Sequence, residues 1–119
     1  RDIRRFVESG LGQRMKKAAM KKHLYREQPF VIQRSASMLD YGWKNETVLV
    51  QGIIDAYFME GDEIVLVDYK TDRVKEAGEL KKRYEKQLAY YQQALERTTG
   101  KKVKEKIIYS LALDEELVL

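Results

Sequence analysis

Two strand-like runs separated by a tight turn constrain the fold of this chain most. Residues 47–59 and 64–69 are rich in Val, Ile, Tyr and Phe, as β-strands are, and the segment Glu60-Gly61-Asp62-Glu63 joins them. A Gly-Asp pair between two such runs is typical of a two-residue β-hairpin loop. If the Gly-Asp pair forms that loop, its flanking glutamates pair with each other. This pairing fixes the register of the whole hairpin.

The register places two acidic side chains opposite each other. Asp55 pairs with Asp68, so their Cβ atoms are expected ~4.5–5.5 Å apart on one face. Lys70, two residues after Asp68, shares that face. At about 5 Å and an effective dielectric near 20, two carboxylates repel each other by roughly 3 kcal/mol. A favourable cross-strand pair contributes only ~0.2–1 kcal/mol. The pattern therefore favours a cation between the acids, and oxygen ligands fit Mg²⁺ or Mn²⁺. Alternatively, Lys70 neutralises one carboxylate as an ordinary ion pair.

The remaining pattern predicts a mixed α/β domain. Apolar residues recur at helical spacing near the start of the chain, where Ser9 could cap a second helix after a break. Pro29 is expected to stop the helical region and to open the first strand, and Gly100 to end a long helix. The predicted strands cover residues 30–39, 47–59, 64–69 and 103–113, with a turn over 40–45 and the long helix over 78–98. The order is helix, three strands, helix, strand, which predicts a mixed central sheet flanked by helices.

Composition narrows the class of protein. The 119 residues suffice for one domain, and no apolar run approaches the ~20 residues that cross a bilayer. The chain has no cysteine, which excludes disulfides, thiolate zinc sites and iron–sulfur clusters. Any metal must therefore have oxygen or histidine ligands, and the cytoplasm is the default location. Because the sequence opens at Arg1 in helical pattern, we expect an N-terminally truncated single domain, helical over residues 1–25 and with its core over 26–119.

Positive charge is concentrated near the start of the chain. Residues 1–26 contain nine Lys and Arg and two acidic residues. Such an element suits a polyanion, because phosphate contacts supply most nonspecific nucleic-acid affinity. A solvated helix face explains the same charges equally well.

Three motifs resemble the RecB-type branch of the PD-(D/E)XK nucleases. The segment Gly52-Ile53-Ile54-Asp55 matches the motif G-x-x-D, and Asp68-Tyr69-Lys70-Thr71 matches D-Y-K-T. Gln87 and Tyr91 match Q-x-x-x-Y. The predicted element order also matches the restriction-endonuclease-like core of that family. From about Arg26 to its end, the chain resembles the C-terminal nuclease domains of AddA-type helicase–nucleases.

This resemblance implies a Mg²⁺-dependent deoxyribonuclease, with exonuclease action on single-stranded DNA ends as the expected mode. It implies a role in double-strand-break repair by homologous recombination, with an ATP-driven helicase in upstream domains and an AddB-type partner protein. No ATP site is visible in these residues. The implied metal ligands are Asp55, Asp68 and the Tyr69 carbonyl. The implied catalytic residues are Asp55, Asp68, Lys70, Gln87 and Tyr91, with Gln87 orienting Lys70 or holding the scissile phosphate.

Other side chains admit two interpretations. Related domains carry a histidine in a G-T-x-x-H motif, and His23 lacks that context. We therefore interpret His23 as a surface residue and expect the true counterpart upstream, with weak or no activity of this excerpt alone. Glu27 is either a site contact or a surface acid, and Tyr91 could equally be a core residue. Tyr90 and Trp43 are expected to be packing or surface aromatics.

Two rival functions are compatible with the sequence. A catalytically silent DNA-binding or docking module of the same fold would bind DNA without needing a metal. An endonuclease acting in restriction or repair would use the same fold for a different reaction. The presence of Asp55, Asp68 and Lys70 together favours a nuclease over the silent module, because a silent domain would be free to lose one of them.

Overall fold

The computed structural model describes residues 3–35 and 47–119. The elements are α1 (Ile3–Glu8), α2 (Gly10–Met20), β1 (Leu24–Ser35), β2 (Thr47–Glu60), β3 (Glu63–Lys70), α3 (Gly78–Thr99), β4 (Val103–Ser110) and β5 (Glu115–Val118). The strands form one sheet in the order β1-β2-β3-β4-β5, in which only the β3–β4 pair is parallel. The predicted restriction-endonuclease-like fold, a mixed sheet with flanking helices, is confirmed.

Helices cover both faces of the sheet. α2 buries Leu11, Met15 and Ala18 against one face, whose apolar residues are Ala56, Phe58, Val65, Val67, Ile107 and Tyr109. α3 buries Leu80, Leu88 and Leu95 against the other face, whose apolar residues include Ile54, Tyr57, Ile64, Leu66 and Ile108. β3 is buried from both sides, which explains its continuous apolar run rather than an alternating pattern.

The break between the first two helices follows the sequence. The Ser9 hydroxyl accepts a hydrogen bond from the Gly12 N–H at 2.9 Å, so the predicted cap of a second helix is confirmed. Gly12 is required at this corner because a Cβ there would lie 2.1 Å from the Phe6 carbonyl oxygen. The corner lets α1 turn across the sheet, where the Phe6 ring meets the edges of Tyr69 and Tyr109.

The hairpin register is the predicted one. Gly61 has φ +64°, as its turn position requires, and Glu60 pairs with Glu63. The same register continues to the pair Ala56–Val67. The predicted end of the long helix is also confirmed, because Gly100 adopts φ +71° and donates its N–H to the Glu96 carbonyl.

Several predicted boundaries were wrong. The N-terminal helices end at Met20 rather than near residue 25, and β1 begins at Leu24 rather than after Pro29. Pro29 lies inside β1, which tolerates proline because an edge strand has one side free of ladder partners. β4 ends at Ser110 rather than at 113, and the unpredicted β5 pairs with it. The predicted turn over 40–45, Trp43 and the end of the predicted first strand lie outside the described residues.

Within the described residues, no helix combines the length and the apolar character needed to cross a membrane.

Candidate active site

The candidate site lies where β2 and β3 separate. The pairing of these strands ends at Ala56–Val67, one position before Asp55 and Asp68 would pair. Beyond that point the Tyr69 N–H donates to Asp55 Oδ2 at 2.9 Å, so a side chain takes the place of a strand carbonyl. The facing of β2 also changes here, since Ile54 packs with α3 whereas Ala56 packs with α2. Asp55 occupies the switch between the two faces, and its carboxylate turns toward β3.

Asp68 is a buried carboxylate with an unusual environment. The residue is 2% exposed, and its Oδ2 has no hydrogen-bond partner. Burial raises the pKa of Asp68 from 3.8 to about 6, against the opposing influence of Lys70 and with a further rise from the neighbouring Asp55. The two acids are thus neighbours, although the direct cross-strand pair that the hairpin register predicted does not form, because the strands stop pairing at Ala56–Val67. Burial of this carboxylate therefore carries a desolvation cost that Lys70 offsets only in part.

Lys70 links the acids to α3. Its Nζ lies 3.0 Å from Asp68 Oδ2, so Lys70 forms the ion pair with one carboxylate that the sequence left open as an alternative. The same Nζ donates to Gln87 Oε1 at 3.0 Å and lies 4.0 Å from the centroid of the Tyr84 ring. A lysine ammonium has three donors. Because one donor goes to Gln87, Lys70 is held in place while others remain available to a bound group.

An unpredicted carboxylate binds the tyrosine whose ring faces Lys70. The hydroxyl of Tyr84 donates to Asp72 Oδ2 at 2.7 Å, and Arg83 donates to the same oxygen at 2.9 Å. The hydroxyl of Tyr84 lowers the pKa of Asp72, with Arg83 contributing. The network fixes the ring under Lys70. The sequence offered little sign of this network, because Tyr84 fits the apolar stripe of the helix and Asp72 lies in the segment between β3 and α3.

Tyr91 has a packing role and also faces the acids. It is 8% exposed and meets the Phe30 ring edge-on at 5.0 Å. Burial raises the pKa of Tyr91, and the charges of Asp68 and Asp55 raise it further. Gly52 makes this packing possible, because a Cβ there would lie 3.0 Å from the Phe30 ring and 3.8 Å from that of Tyr91. The glycine of the G-x-x-D motif thus lets aromatic rings close over β2 near the acids.

Tyr69 makes one contact to the site through its backbone and another to α2 through its side chain. Its N–H orients Asp55, and its hydroxyl lies 3.6 Å from Met15 Sδ on α2. A cavity of about 650 Å³ lies on this side of the sheet. The lining residues are Phe6, Val7, Arg26, Glu27, Asp55, Ala56, Tyr69 and Leu111. Glu27 therefore lines the same cavity as Asp55. Tyr90, which was expected to be a packing or surface aromatic, is half-buried on α3.

His23 is remote from the acids. Its carbonyl accepts from the Met59 N–H, four residues along β2 from Asp55, which corresponds to about 13 Å at the usual strand rise. The exposed side chain lines a different cavity, of about 370 Å³, with Arg14 and Lys17. Of the basic residues near the start of the chain, Arg14 is engaged by Glu60 and Glu105, while Lys16, Lys17, Lys21 and Lys22 are exposed.

The donor set fits a hard divalent cation. Across the described residues, no three or more His, Cys, Asp or Glu side chains come together in a way that could hold an ion. The site offers two carboxylates, Asp55 and Asp68, with the Tyr69 carbonyl next to the second of them in sequence. Mg²⁺ is usually bound through one or two carboxylates while keeping several waters. Such an ion would add to the partial neutralisation that Lys70 provides at Asp68.

The sequence is similar to those of known proteins. The sequence profile of the family described as the PD-(D/E)XK nuclease superfamily matches residues 3–117. The chain is 44% identical over 117 residues to an ATP-dependent helicase/nuclease protein of Clostridium kluyveri, covering 94% of this chain and 9% of that protein. It is 48% identical over 114 residues to the protein of the same description from Acetivibrio thermocellus, covering 90% of this chain and 9% of the relative. The chain thus spans about a tenth of the length of these relatives.

Proposed function

The chain belongs to the PD-(D/E)XK nuclease superfamily, and we propose that it hydrolyses DNA phosphodiester bonds with Mg²⁺, or with Mn²⁺ in its place. The observation that carries this proposal is the buried carboxylate of Asp68, which lies beside a second acid, Asp55, and has the Lys70 ammonium 3.0 Å from its Oδ2. The ammonium offsets the charge of Asp68 only in part, because the pKa of Asp68 stays raised in spite of it. A divalent ion would neutralise both carboxylates.

Asp55 and Asp68 would hold the cation, with the Tyr69 carbonyl as a further ligand. When bound, a divalent ion lowers the pKa of its water and neutralises charge on the phosphate. Asp55 is oriented for this role by the Tyr69 N–H, at 2.9 Å from its Oδ2. Both acids lie where β2 and β3 separate, so they are held by the sheet itself rather than by a loop. Rigid placement of this kind favours reactive geometry.

Lys70 would act on the phosphate and the attacking water. In hydrolysis a water oxygen forms a bond to phosphorus, the phosphorus–oxygen bond to the leaving sugar breaks, and that sugar oxygen takes a proton. The Lys70 ammonium would stabilise the negative charge that develops on the phosphate oxygens, and it would orient the water. Gln87 holds the ammonium from α3 at 3.0 Å. Tyr91 would support the site by packing over β2 near both acids.

We further propose a setting for this reaction from the relatives. They are described as components of an ATP-dependent helicase/nuclease. We propose that this domain works in such a helicase–nuclease, in the cytoplasm, as an exonuclease on single-stranded DNA ends during double-strand-break repair by homologous recombination. ATP-driven helicase domains of the same polypeptide and an AddB-type protein would be its partners. The exposed lysines of α2 would contribute nonspecific contacts to DNA phosphates.

The test is a cleavage assay in the complete helicase–nuclease. End-labelled single-stranded DNA is incubated with Mg²⁺ or with EDTA, using the wild type, Asp68→Ala and the control Asp62→Ala. Asp62 is a matched control because it lies on the same hairpin with a side chain 99% exposed. We expect Mg²⁺-dependent cleavage by the wild type and the control, and none by Asp68→Ala despite normal folding. Cleavage retained by Asp68→Ala would refute the assignment, and metal-independent DNA binding without cleavage by any protein would favour the silent module.

A further inference from the structure

The ring of Tyr84 lies against the ammonium of Lys70. The ring centroid is 4.0 Å from Lys70 Nζ, well inside the ~6 Å over which an aromatic face attracts a cation. The Lys70 side chain is only 17% exposed, so water weakens this attraction less than it would at the surface. Tyr84 is half-buried on α3 and also packs against the apolar core on that face of the sheet. Its ring is therefore both a packing surface and one wall of the environment of the lysine.

Tyr84 and Gln87 hold the ammonium from one face of α3, because residues three apart in a helix share a face. Gln87 does so with a hydrogen bond, in which its Oε1 accepts from Lys70 Nζ at 3.0 Å. This bond takes one of the three N–H donors of the lysine. The attraction to an aromatic face acts on the charge as a whole. The ring can therefore hold the ammonium in place without taking the donor that a phosphate oxygen or a water needs.

These two contacts do not depend on the acids of the site. The third contact of Lys70 is the ion pair with Asp68, whose charge a divalent ion would neutralise. An ion bound there would weaken the attraction between Asp68 and Lys70, because its own charge repels the ammonium. Tyr84 and Gln87 bear no charge that the ion would offset, so their contacts would remain. The lysine would then depend on α3 for its position.

The phenol of Tyr84 is itself held by Asp72. Its hydroxyl donates to Asp72 Oδ2 at 2.7 Å, and Arg83 donates to the same oxygen at 2.9 Å. The hydrogen bond to Asp72 raises the pKa of Tyr84, so the phenol stays protonated as the donor. Interactions in such a chain polarise one another, and a phenol that donates to a carboxylate has a more electron-rich ring. Asp72 therefore fixes the ring and strengthens its attraction for a cation.

We infer that Tyr84 is a positioning residue for Lys70, whose ring keeps the ammonium where it reaches the phosphate, and that Asp72 acts through Tyr84. The inference rests on the proposed function, in which Lys70 stabilises charge on the phosphate oxygens. A tyrosine that only packed α3 against the sheet could be replaced by any ring of the same shape. The two roles therefore differ in whether the electron density of the ring matters.

The first test measures kcat and KM for cleavage of single-stranded DNA by the complete helicase–nuclease in Mg²⁺. We expect kcat to fall in the order wild type, Tyr84→Phe, Tyr84→Leu, by up to about 100-fold, the cost of misplacing a reacting group by about 1 Å, with KM little changed. Replacement of Tyr84 by trifluorophenylalanine keeps the shape of the phenylalanine ring but draws electrons from its face. Its kcat should therefore lie below that of Tyr84→Phe, and equal values for these two rings would overturn the inference.

The second test needs no metal and no cleavage. It is a double-mutant cycle of urea unfolding in EDTA, with Tyr84→Leu, Lys70→Met and both changes together. Tyr84→Leu should change the unfolding equilibrium constant by about 2- to 30-fold more in the wild type than in the Lys70→Met protein, because only the wild type loses an attraction between ring and ammonium. Lys70→Gln takes the place of Lys70→Met if that protein does not fold. Equal effects in both backgrounds would also overturn the inference.

The role of Asp72 is tested by combining two changes. Asp72→Ala and Tyr84→Phe each remove the hydrogen bond between the carboxylate and the phenol. If Asp72 acts through Tyr84, the combined protein should lose no more kcat than the more impaired single variant. Losses that multiply would show that Asp72 acts by another route and would overturn that part of the inference.

Two further proteins separate this inference from the proposed function. Tyr90→Leu is the matched control, a half-buried tyrosine on the same helix, and should keep the kcat of the wild type. Lys70→Met should lose cleavage. If Lys70→Met loses cleavage while Tyr84→Leu keeps the wild-type kcat, the inference about Tyr84 is wrong and the proposed function stands. If Lys70→Met cleaves DNA normally, the proposed function itself fails in the role it gives Lys70.

Discussion

Replacing Asp68 by asparagine is expected to stabilise the folded chain when no divalent ion is present. The pKa of Asp68 in the folded chain is about 6, against 3.8 ordinarily, because of its burial. Each pH unit between two such pKa values corresponds to about 1.36 kcal/mol, so the ionised carboxylate lowers the free energy of unfolding by about 3 kcal/mol at neutral pH. Asparagine carries no charge but has an amide that needs partners. The expected net gain is about 1–3 kcal/mol.

The pH dependence of this gain has a defined sign. The folded chain binds a proton at Asp68 that the unfolded chain does not bind between pH 3.8 and about 6. The decrease in the free energy of unfolding that the ionised Asp68 causes is therefore complete above pH 6 and disappears as the pH falls to 3.8. The advantage of Asp68→Asn over the wild type should shrink over the same range. The exposed control Asp62→Asn should match the wild type throughout.

The assay is equilibrium unfolding in urea, in EDTA and then in Mg²⁺. At 100 times the dissociation constant, a ligand that binds only the folded state stabilises it by about 2.7 kcal/mol. Mg²⁺ should stabilise the wild type accordingly and leave Asp68→Asn unchanged, which would reverse or remove the difference seen in EDTA. An Asp68→Asn protein less stable than the wild type in EDTA at pH 7.5, with the control unchanged, would refute the reasoning that the Asp68 charge is held at a cost for a cation.

Three further predictions test neighbouring parts of the structure. Gln87→Ala removes the amide oxygen that accepts a hydrogen bond from the Lys70 ammonium at 3.0 Å. It should lower kcat for DNA cleavage by up to about 100-fold and change unfolding in urea little. An unaltered kcat would show that Gln87 has no role in the reaction. Gly52→Ala places a Cβ 3.0 Å from the Phe30 ring and should lower the free energy of unfolding by about 1–3 kcal/mol, so a neutral result in urea would contradict the packing described. Arg14 lowers the pKa of Glu60 from 4.5 to about 2, so the stability that the ion pair provides is complete above pH 4.5 and is lost as the pH falls toward 2. The difference in the free energy of unfolding between the wild type and Arg14→Met should therefore shrink over that range. A difference that stays constant would argue against the ion pair.

The fold could be predicted to the extent that local signals determine it. Gly61-Asp62 fixed the loop length, and because side chains alternate along a strand, the loop length fixed which residues of β2 and β3 meet. The cap at Ser9 and the helix end at Gly100 were also predictable, because each depends on a local residue type. β5 was not predicted, because its four residues, Glu115–Val118, have no strand pattern of their own. Its position depends on pairing with β4 and on the bond between Glu116 and the Leu11 N–H.

The sequence predicted which side chains of the candidate site meet, but not the backbone geometry at Asp55. A polar Gln87 beside an apolar helical stripe needed a partner, and Lys70 was one of the two proposed. The change of facing at Asp55 could not be predicted, because Ile54 and Ala56 are both apolar and nothing local assigns them to opposite faces. The roles of the five predicted catalytic residues stay predictions until they are tested.

The most direct test of the account is a crystal structure of the chain soaked in Mn²⁺, with anomalous diffraction used to locate the ion. We expect one anomalous peak between the carboxylates of Asp55 and Asp68, bonded to Asp68 Oδ2, and no such peak in Asp68→Asn crystals. Wild-type crystals without a peak at this position at saturating Mn²⁺, or with the ion bound elsewhere on the chain, would contradict it.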